Sequence, residues 1–347
     1  MNSTQISSQN PYKFEYSIPY FLDDRWGRKL HVSERSRKCV VFLGVLDDEG
    51  NFNPKGTGFV VSCEEYGSKW LHLVTAQHVI VAIQELSHDV AIRYNLIGGG
   101  IGGSLASISD WYYHPDAENS VDVAVIPFDS SAGIDYSYIP MESDFVTQEV
   151  VDNLKMDTGD DIFVTGLFSS HYGRGKNVPI VRTGTIAAML EEPVYTGTGY
   201  IDAYLIEGRS IGGLSGSPVF FQPAPLRVID GVVTPTENSK DHYLLGLIHG
   251  HFDVKEITDI VQDESEYAQT NKLHSGIAIV VPSEKIVETI NQDVLKKMRE
   301  ETAKQAMADS DAVPYVASVE EESENPNHKE DFIRLLGEAV SSPPTDD

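Results

Sequence analysis

Gly212-Gly213-Leu214-Ser215-Gly216-Ser217-Pro218-Val219-Phe220 sets three glycines and a proline around two serines, then runs straight into apolar residues. Glycine adopts backbone conformations that other residues resist, so this composition reads as a tight turn delivering Ser215 at the mouth of a strand. Outward from the turn, short apolar runs alternate with Gly, Pro and polar breaks. Asp161 to Leu167, Val178 to Met189 and Tyr200 to Ile206 precede it; Pro218 to Phe221, Arg227 to Val233, Tyr243 to His249 and Gly276 to Val281 follow. An earlier series comprises Cys39 to Leu46, Gly58 to Cys63, Trp70 to Ala76, Asp89 to Tyr94 and Val121 to Phe128, with Asp47-Asp48-Glu49-Gly50 as a hairpin connection. Strands of about 5–8 residues at such spacing predict an all-β sandwich or a pair of barrels. The polar stretch Ser130 to Gly159 reads as the connection between the halves.

The flanks have a different texture. Residues 1–35 form an N-terminal extension carrying Tyr12, Phe14, Tyr16, Tyr20, Phe21 and Trp26, so part of it is expected to pack on the body. After Pro282, the spacing of Ile286, Val287, Ile290, Val294, Leu295 and Met298 predicts a helix over 283–304, capped by Ser283 and ending near Ala308. Residues 305–347 read as an acidic linker followed by a short amphipathic helix, His328 to Val340. Phe332, Ile333, Leu335 and Leu336 of that helix offer a face for the body or for a partner.

The chain of 347 residues carries 26 Lys and Arg against 53 Asp and Glu, for a net charge of −27, of which residues 305–347 supply only −9. The whole molecule is therefore acidic, which argues against nucleic acid as a partner, because phosphate binding relies on clustered cations. The apolar fraction of 41% is that of a globular protein. No run reaches the roughly 20 apolar residues of a membrane span. Met1 to Tyr20 shows no apolar signal core, so the chain reads as cytoplasmic rather than secreted. The two cysteines, Cys39 and Cys63, suit a reducing compartment or a bacterial secreted protein equally.

Three patterns stand in the order His, Asp, Ser. Leu73-Val74-Thr75-Ala76-Gln77-His78-Val79 ends an apolar run in small residues and a histidine, behind the strand Gly56-Thr57-Gly58-Phe59-Val60-Val61. His114-Pro115 precedes Val121-Asp122-Val123-Ala124-Val125-Ile126, an acid at the mouth of a buried strand. The serine turn is the third. A serine hydroxyl becomes a useful nucleophile when an imidazole takes its proton, and a carboxylate stabilises the imidazolium that forms. Glycine beside the serine lets the N–H groups of Gly213 and Ser215 face a developing oxyanion. Asp89-Val90-Ala91-Ile92 repeats the acid-plus-strand pattern only 11 residues after His78; Asp122 has the better separation and the preceding His-Pro.

These residues resemble the trypsin-like, chymotrypsin-fold serine peptidases of bacterial type. Thr75-Ala76-Gln77-His78 looks like that family's Thr-Ala-Ala-His segment, and Asp122-Val123-Ala124-Val125 like its Asp-Ile-Ala-Leu segment. Gly213-Leu214-Ser215-Gly216-Ser217-Pro218 looks like Gly-Asp-Ser-Gly-Gly-Pro, and more so like the Gly-Asn-Ser-Gly-Ser-Pro form of glutamyl endopeptidases. The resemblance spans about residues 38–304. It implies two six-stranded antiparallel β-barrels, about 36–130 and 155–285, with a C-terminal α-helix. It further implies a peptidase domain over 36–304, a protein or peptide substrate, no cofactor, and His78, Asp122 and Ser215 as catalytic residues with Gly213 and Ser215 as the oxyanion hole. Leu214 departs from the family, replacing the acid that pairs with a new N-terminus in digestive members, and Val79 stands where animal relatives have cysteine. Arg209 and His249 fall in the segments that build the family's specificity pocket, which favours an acidic residue before the scissile bond; a small apolar residue is the competing expectation.

Other readings fare worse. An α/β-hydrolase requires the order Ser, acid, His and a strand–helix alternation that is missing. Zinc is not suggested, since the 11 histidines are scattered and His249-Gly250-His251 has no further ligand beside it in sequence. The glycine runs 98–103 and 197–199 lack the context of a phosphate loop and read as hairpin or surface loops. The reading that stays open from another class is a catalytically weak or inactive binding module on a peptidase fold.

Overall fold

The computed structural model describes residues 32–311, apart from 118–120, 131–132, 197–198, 209–212, 230, 237–238 and 255–272. Residues 1–31 of the N-terminal arm, residues 312–327 of the acidic linker, the expected helix over 328–340 and Arg209 lie outside the described residues, whereas residues 305–311, expected as linker, are helical. Residues 1–299 and 300–347 are separate compact units. All strand architecture belongs to the first; the described part of the second is the C-terminal stretch of one helix, where Lys304 pairs with Glu300 at 2.5 Å. No described helix is long and apolar enough to cross a membrane.

After helix α1 (Glu34–Lys38), the first eight strands are β1 (Val40–Leu46), β2 (Phe52–Glu65), β3 (Ser68–Thr75), β4 (Asp89–Asn95), β5 (Ile101–Ser107), β6 (Tyr112–Tyr113), β7 (Ala124–Pro127) and β8 (Ile139–Pro140). Helix α2 (Gln77–Gln84) follows β3. These strands form one sheet in the order β5-β4-β1-β2-β3-β7-β6, with β8 beside β2. The β1–β2 hairpin turns where the sequence predicts: Asp47 Oδ1 accepts the N–H groups of Glu49 at 3.0 Å and Asn51 at 2.8 Å, and Gly50 takes φ +81°.

Helices α3 (Met141–Asp144) and α4 (Gln148–Leu154) occupy the connection. Then come β9 (Asp161–Gly166), β10 (Ile180–Ala188), β11 (Val194–Tyr195), β12 (Tyr200–Ile201), β13 (Tyr204–Glu207), β14 (Pro218–Phe221), β15 (Leu226–Ile229), β16 (Val232–Pro235), β17 (Tyr243–Val254) and β18 (Leu273–Pro282). Six of them close into an antiparallel barrel, β10-β13-β18-β17-β14-β9. β11–β12 and β15–β16 are separate hairpins.

The protein is thus mostly β with one closed barrel, where the sequence reading expects two. Among the described residues the N-terminal sheet has eight strands and its ends do not pair. The physical reason lies at the edges: β6 is two residues long, and β5 presents a largely exposed face that includes Leu105, 60% accessible. Phe163 and Phe220 stack at 4.8 Å within a core that also takes Val74, Val125, Ile286 and Ile290. A second core of Ile162, Val164, Ile206, Leu214, Ile248 and Val280 fills the barrel.

The expected single helix after Pro282 is two, α5 (Ser283–Ile290) and α6 (Asp293–Asp311), the second running past Ala308. Ser283 is not the cap. It is the first helical residue, and its hydroxyl donates to the Val146 carbonyl at 3.0 Å.

Candidate active site

β3 ends at Thr75, and the next residues turn into α2 without a side-chain cap, because Ala76 has none to offer. The first N–H groups of a helix have no partner inside it. Here the partner is remote: the His78 N–H donates to Asp122 Oδ1 at 2.8 Å, across 44 residues. Asp122 reaches that position because β7 pairs with β3, setting Ala124 opposite Thr75. A carboxylate at a helix N-terminus also meets the positive end of the peptide dipoles.

The same carboxylate holds the His78 ring, whose Nδ1 lies 2.6 Å from Asp122 Oδ2. Backbone and side-chain bonds together fix the position and orientation of the imidazole. Burial lowers the His78 pKa, but the Asp122 hydrogen bond and charge outweigh it and the net shift is upward. For Asp122 burial pushes upward, yet the hydrogen bonds from two histidines prevail and hold the carboxyl well below the usual carboxylate range. Asp89, the sequence alternative, pairs with Ser107 in the β4–β5 hairpin instead. The His114 ring bonds Glu288 at 2.8 Å, and its backbone N–H donates to the Val123 carbonyl at 3.2 Å.

The second histidine is His249. Its Nδ1 lies 2.6 Å from the same Oδ2 of Asp122, and its ring meets His78 edge-on with centroids 5.7 Å apart. Sequence reasoning places His249 in a specificity pocket; the structure engages it at the acid. The cause is a register break between β17 and β18 from Ile248 to Gly250, which leaves His249 as an unpaired bulge residue. Bulges re-aim side chains in this way. Nothing in the sequence spacing signals it, since His249 and Asp122 are 127 residues apart.

Ser215 sits in a turn that both sheets grip. Gly213 at φ +101° and Gly216 at φ +78° occupy backbone regions that disfavour other residues. A Cβ on Gly216 would lie 2.3 Å from Thr75 Oγ1. Thr57 N–H donates to the Ser215 carbonyl at 3.0 Å, and Gly216 N–H donates to Ile248 O at 2.9 Å. Gly56 gives room on the other side: a Cβ there would meet Val79 Cγ1 at 2.6 Å and the Ser215 carbonyl at 3.3 Å. The residue after His78 and the nucleophile turn therefore flank the same glycine. Leu214 is buried in the barrel core, so this position offers no carboxylate.

The structure thus joins His78 to Asp122, adds His249, and sets Ser215 nearby. Among the described residues no hydrogen bond links Ser215 to His78, and the N–H groups of Gly213 and Ser215 meet no acceptor. No family model matches the chain and no curated protein matches it. Among solved structures it is similar to the MamO protease domain from Magnetospirillum magneticum in its apo form. That match has 14% identity and a TM-score of 0.46, covering 75% of this chain and 100% of that one.

Proposed function

We propose that the protein is a serine endopeptidase of trypsin-like type, with the N-terminal sheet in the role of a first barrel. The observation that carries this reading is the double grip of Asp122 on His78, through the backbone N–H at 2.8 Å and the ring Nδ1 at 2.6 Å. With its proton on Nδ1, His78 presents the Nε2 lone pair as a base. Ser215 Oγ attacks the peptide carbonyl as His78 Nε2 takes its proton, and Asp122 stabilises the imidazolium. The oxyanion is met by the free N–H groups of Gly213 and Ser215. Collapse passes the proton from His78 to the leaving amine, and water then releases the acyl group by the same steps in reverse roles. With His249 engaged at Asp122, a pocket for an acidic residue would rest on Arg209.

The absence of a Ser215–His78 hydrogen bond among the described residues favours the second reading, an inactive binding module. Catalytic hydrogen bonds also commonly tighten only when substrate binds. A fluorophosphonate probe decides between the two. The peptidase reading expects labelling mapped to Ser215, none in Ser215→Ala, and a loss on the order of 10⁴-fold in turnover for Asp122→Asn. No labelling and no cleavage of casein by the folded wild type would leave the binding module.

A further inference from the structure

A triad needs one imidazole on its carboxylate; this site has two. We infer that His78, Asp122 and His249 also form a binding site for a divalent transition-metal ion of the zinc class, and that occupancy silences Ser215. The silencing rests on the peptidase reading, whereas the binding does not.

The donor set is the first support. One oxygen of Asp122 and one nitrogen from each histidine lie within 4.8 Å of one another. Two imidazoles and a carboxylate match the ligand number and type of a three-ligand zinc site with an open fourth position. Imidazoles also select such ions over magnesium and calcium, which take oxygen ligands.

The geometry needs little adjustment. Both Nδ1 atoms are 2.6 Å from Oδ2. Ligands about 2.0–2.1 Å from a tetrahedral ion stand about 3.3 Å apart, so each ring recedes by less than about 1 Å. The freedom to do so lies with the histidines: the side chains of His78 and His249 are 43% and 18% exposed, against 6% for Asp122. Asp122 meanwhile stays fixed by the bond from the His78 N–H to its other oxygen, the kind of outer contact that orients a metal ligand.

Silencing follows from the tautomer. An ion on Nδ1 takes the lone pair that the Nδ1 proton would otherwise occupy, and the neutral ring then carries its proton on Nε2. His78 in that state has no lone pair facing Ser215 and cannot accept the serine proton.

The test uses the full chain carrying Ser215→Ala, which prevents self-cleavage and removes no ligand. After chelator treatment it is titrated calorimetrically with zinc chloride and, separately, magnesium chloride. One saturable zinc site and no magnesium site are expected. His249→Ala and His249→Gln should each weaken zinc binding by more than the roughly 10–100-fold that a lost outer-shell partner costs. A cobalt(II) complex should show tetrahedral bands without thiolate charge transfer. Zinc affinity unchanged in both His249 variants, or thiolate bands, would overturn the site. In the wild type, zinc should slow fluorophosphonate labelling and chelator should restore it. Labelling unchanged at saturating zinc would overturn the silencing. A folded wild type that is never labelled, even with chelator, would count against the peptidase reading, and calorimetry alone would then judge the site.

Discussion

The Thr57 hydroxyl donates a hydrogen bond of 2.8 Å to the Gly213 carbonyl, tying the N-terminal sheet to the turn that carries Ser215. The same oxygen accepts the Leu167 N–H at 2.9 Å, at the end of β9. Thr57 N–H holds the Ser215 carbonyl, and its own carbonyl accepts from Thr75 Oγ1 at 2.7 Å. Every polar atom of this fully buried residue is therefore spent on aligning the turn, the base-bearing segment and the barrel.

Thr57→Val keeps the shape and removes the hydroxyl, leaving the Leu167 N–H and Gly213 carbonyl without their partner. Each such loss costs about 1–3 kcal/mol, so destabilisation of about 2–6 kcal/mol is expected in denaturant unfolding. Labelling of Ser215 should slow as well, because the turn loses a tether. Thr57→Ser should recover most of both, and a Val variant indistinguishable from wild type would show that the tether is idle.

The pH dependence of Ser215 labelling follows from His78. A base must be neutral to accept a proton, and the Asp122 contact raises the His78 pKa above its ordinary 6.5 despite opposing burial. Labelling should therefore rise with pH through a midpoint above 6.5, and Asp122→Asn should move that midpoint down as well as lowering the plateau. A wild-type midpoint below 6.5 would contradict the observed contact. For stability the sign is the reverse: this histidine's contribution is full below 6.5 and is lost as pH rises through its folded value.

Cys39 and Cys63 are free and buried, and burial is the main force pushing their thiols up to about 12 and about 11. The thiolate is the reactive form, so both should be inert in the native protein. A disulfide-exchange reagent should titrate neither thiol in the folded state and both after guanidinium unfolding without reductant. One fast native thiol, or none after unfolding, would refute this.

Much of the strand layout is legible in the sequence because strand runs are local. Asp161 to Leu167 and Pro218 to Phe221 are matched by β9 and β14 within a residue. The misses have nonlocal causes, except at Asp230-Gly231, where the turn signal is local. Tyr200 to Ile206 reads as one strand but breaks at Asp202-Ala203 into β12 and β13, which pair with different partners. Arg227 to Val233 reads as one strand and folds back on itself at Gly231, φ +79°, as the β15–β16 hairpin. Helix α2 was hidden inside an apolar run with no local cap, its cap being Asp122. His249 was legible as a histidine beside the site, but its partner depends on a bulge that only the pairing of β17 with β18 creates.

Acid stability should turn on His72. It lies on β3, 2% exposed, with Nδ1 lacking a partner among the described residues and Nε2 facing Arg299 Nη1 at 3.4 Å. Burial, and then the Arg299 charge, lower its pKa from 6.5 to about 4. The unfolded chain therefore binds a proton that the native state refuses, and stability present above 6.5 is lost as pH falls toward 4. Over that window the loss is on the order of 3 kcal/mol. His242 is also lowered, chiefly by burial, and adds to the loss with the same sign. Asp122 acts lower, since its contribution is lost only below the ordinary carboxyl value of 3.8. The contribution from His78 is already full below 6.5. His72→Gln should cost stability at high pH through imperfect packing, yet flatten the decline between pH 6.5 and 4. What is left are the shares due to His242 and, below 4.5, to Glu288, whose carboxyl burial pushes up but Lys285 and His114 hold down. Urea unfolding at a series of pH values measures both. A variant whose stability falls as steeply as wild type across that window would show that His72 is not the group taking up the proton.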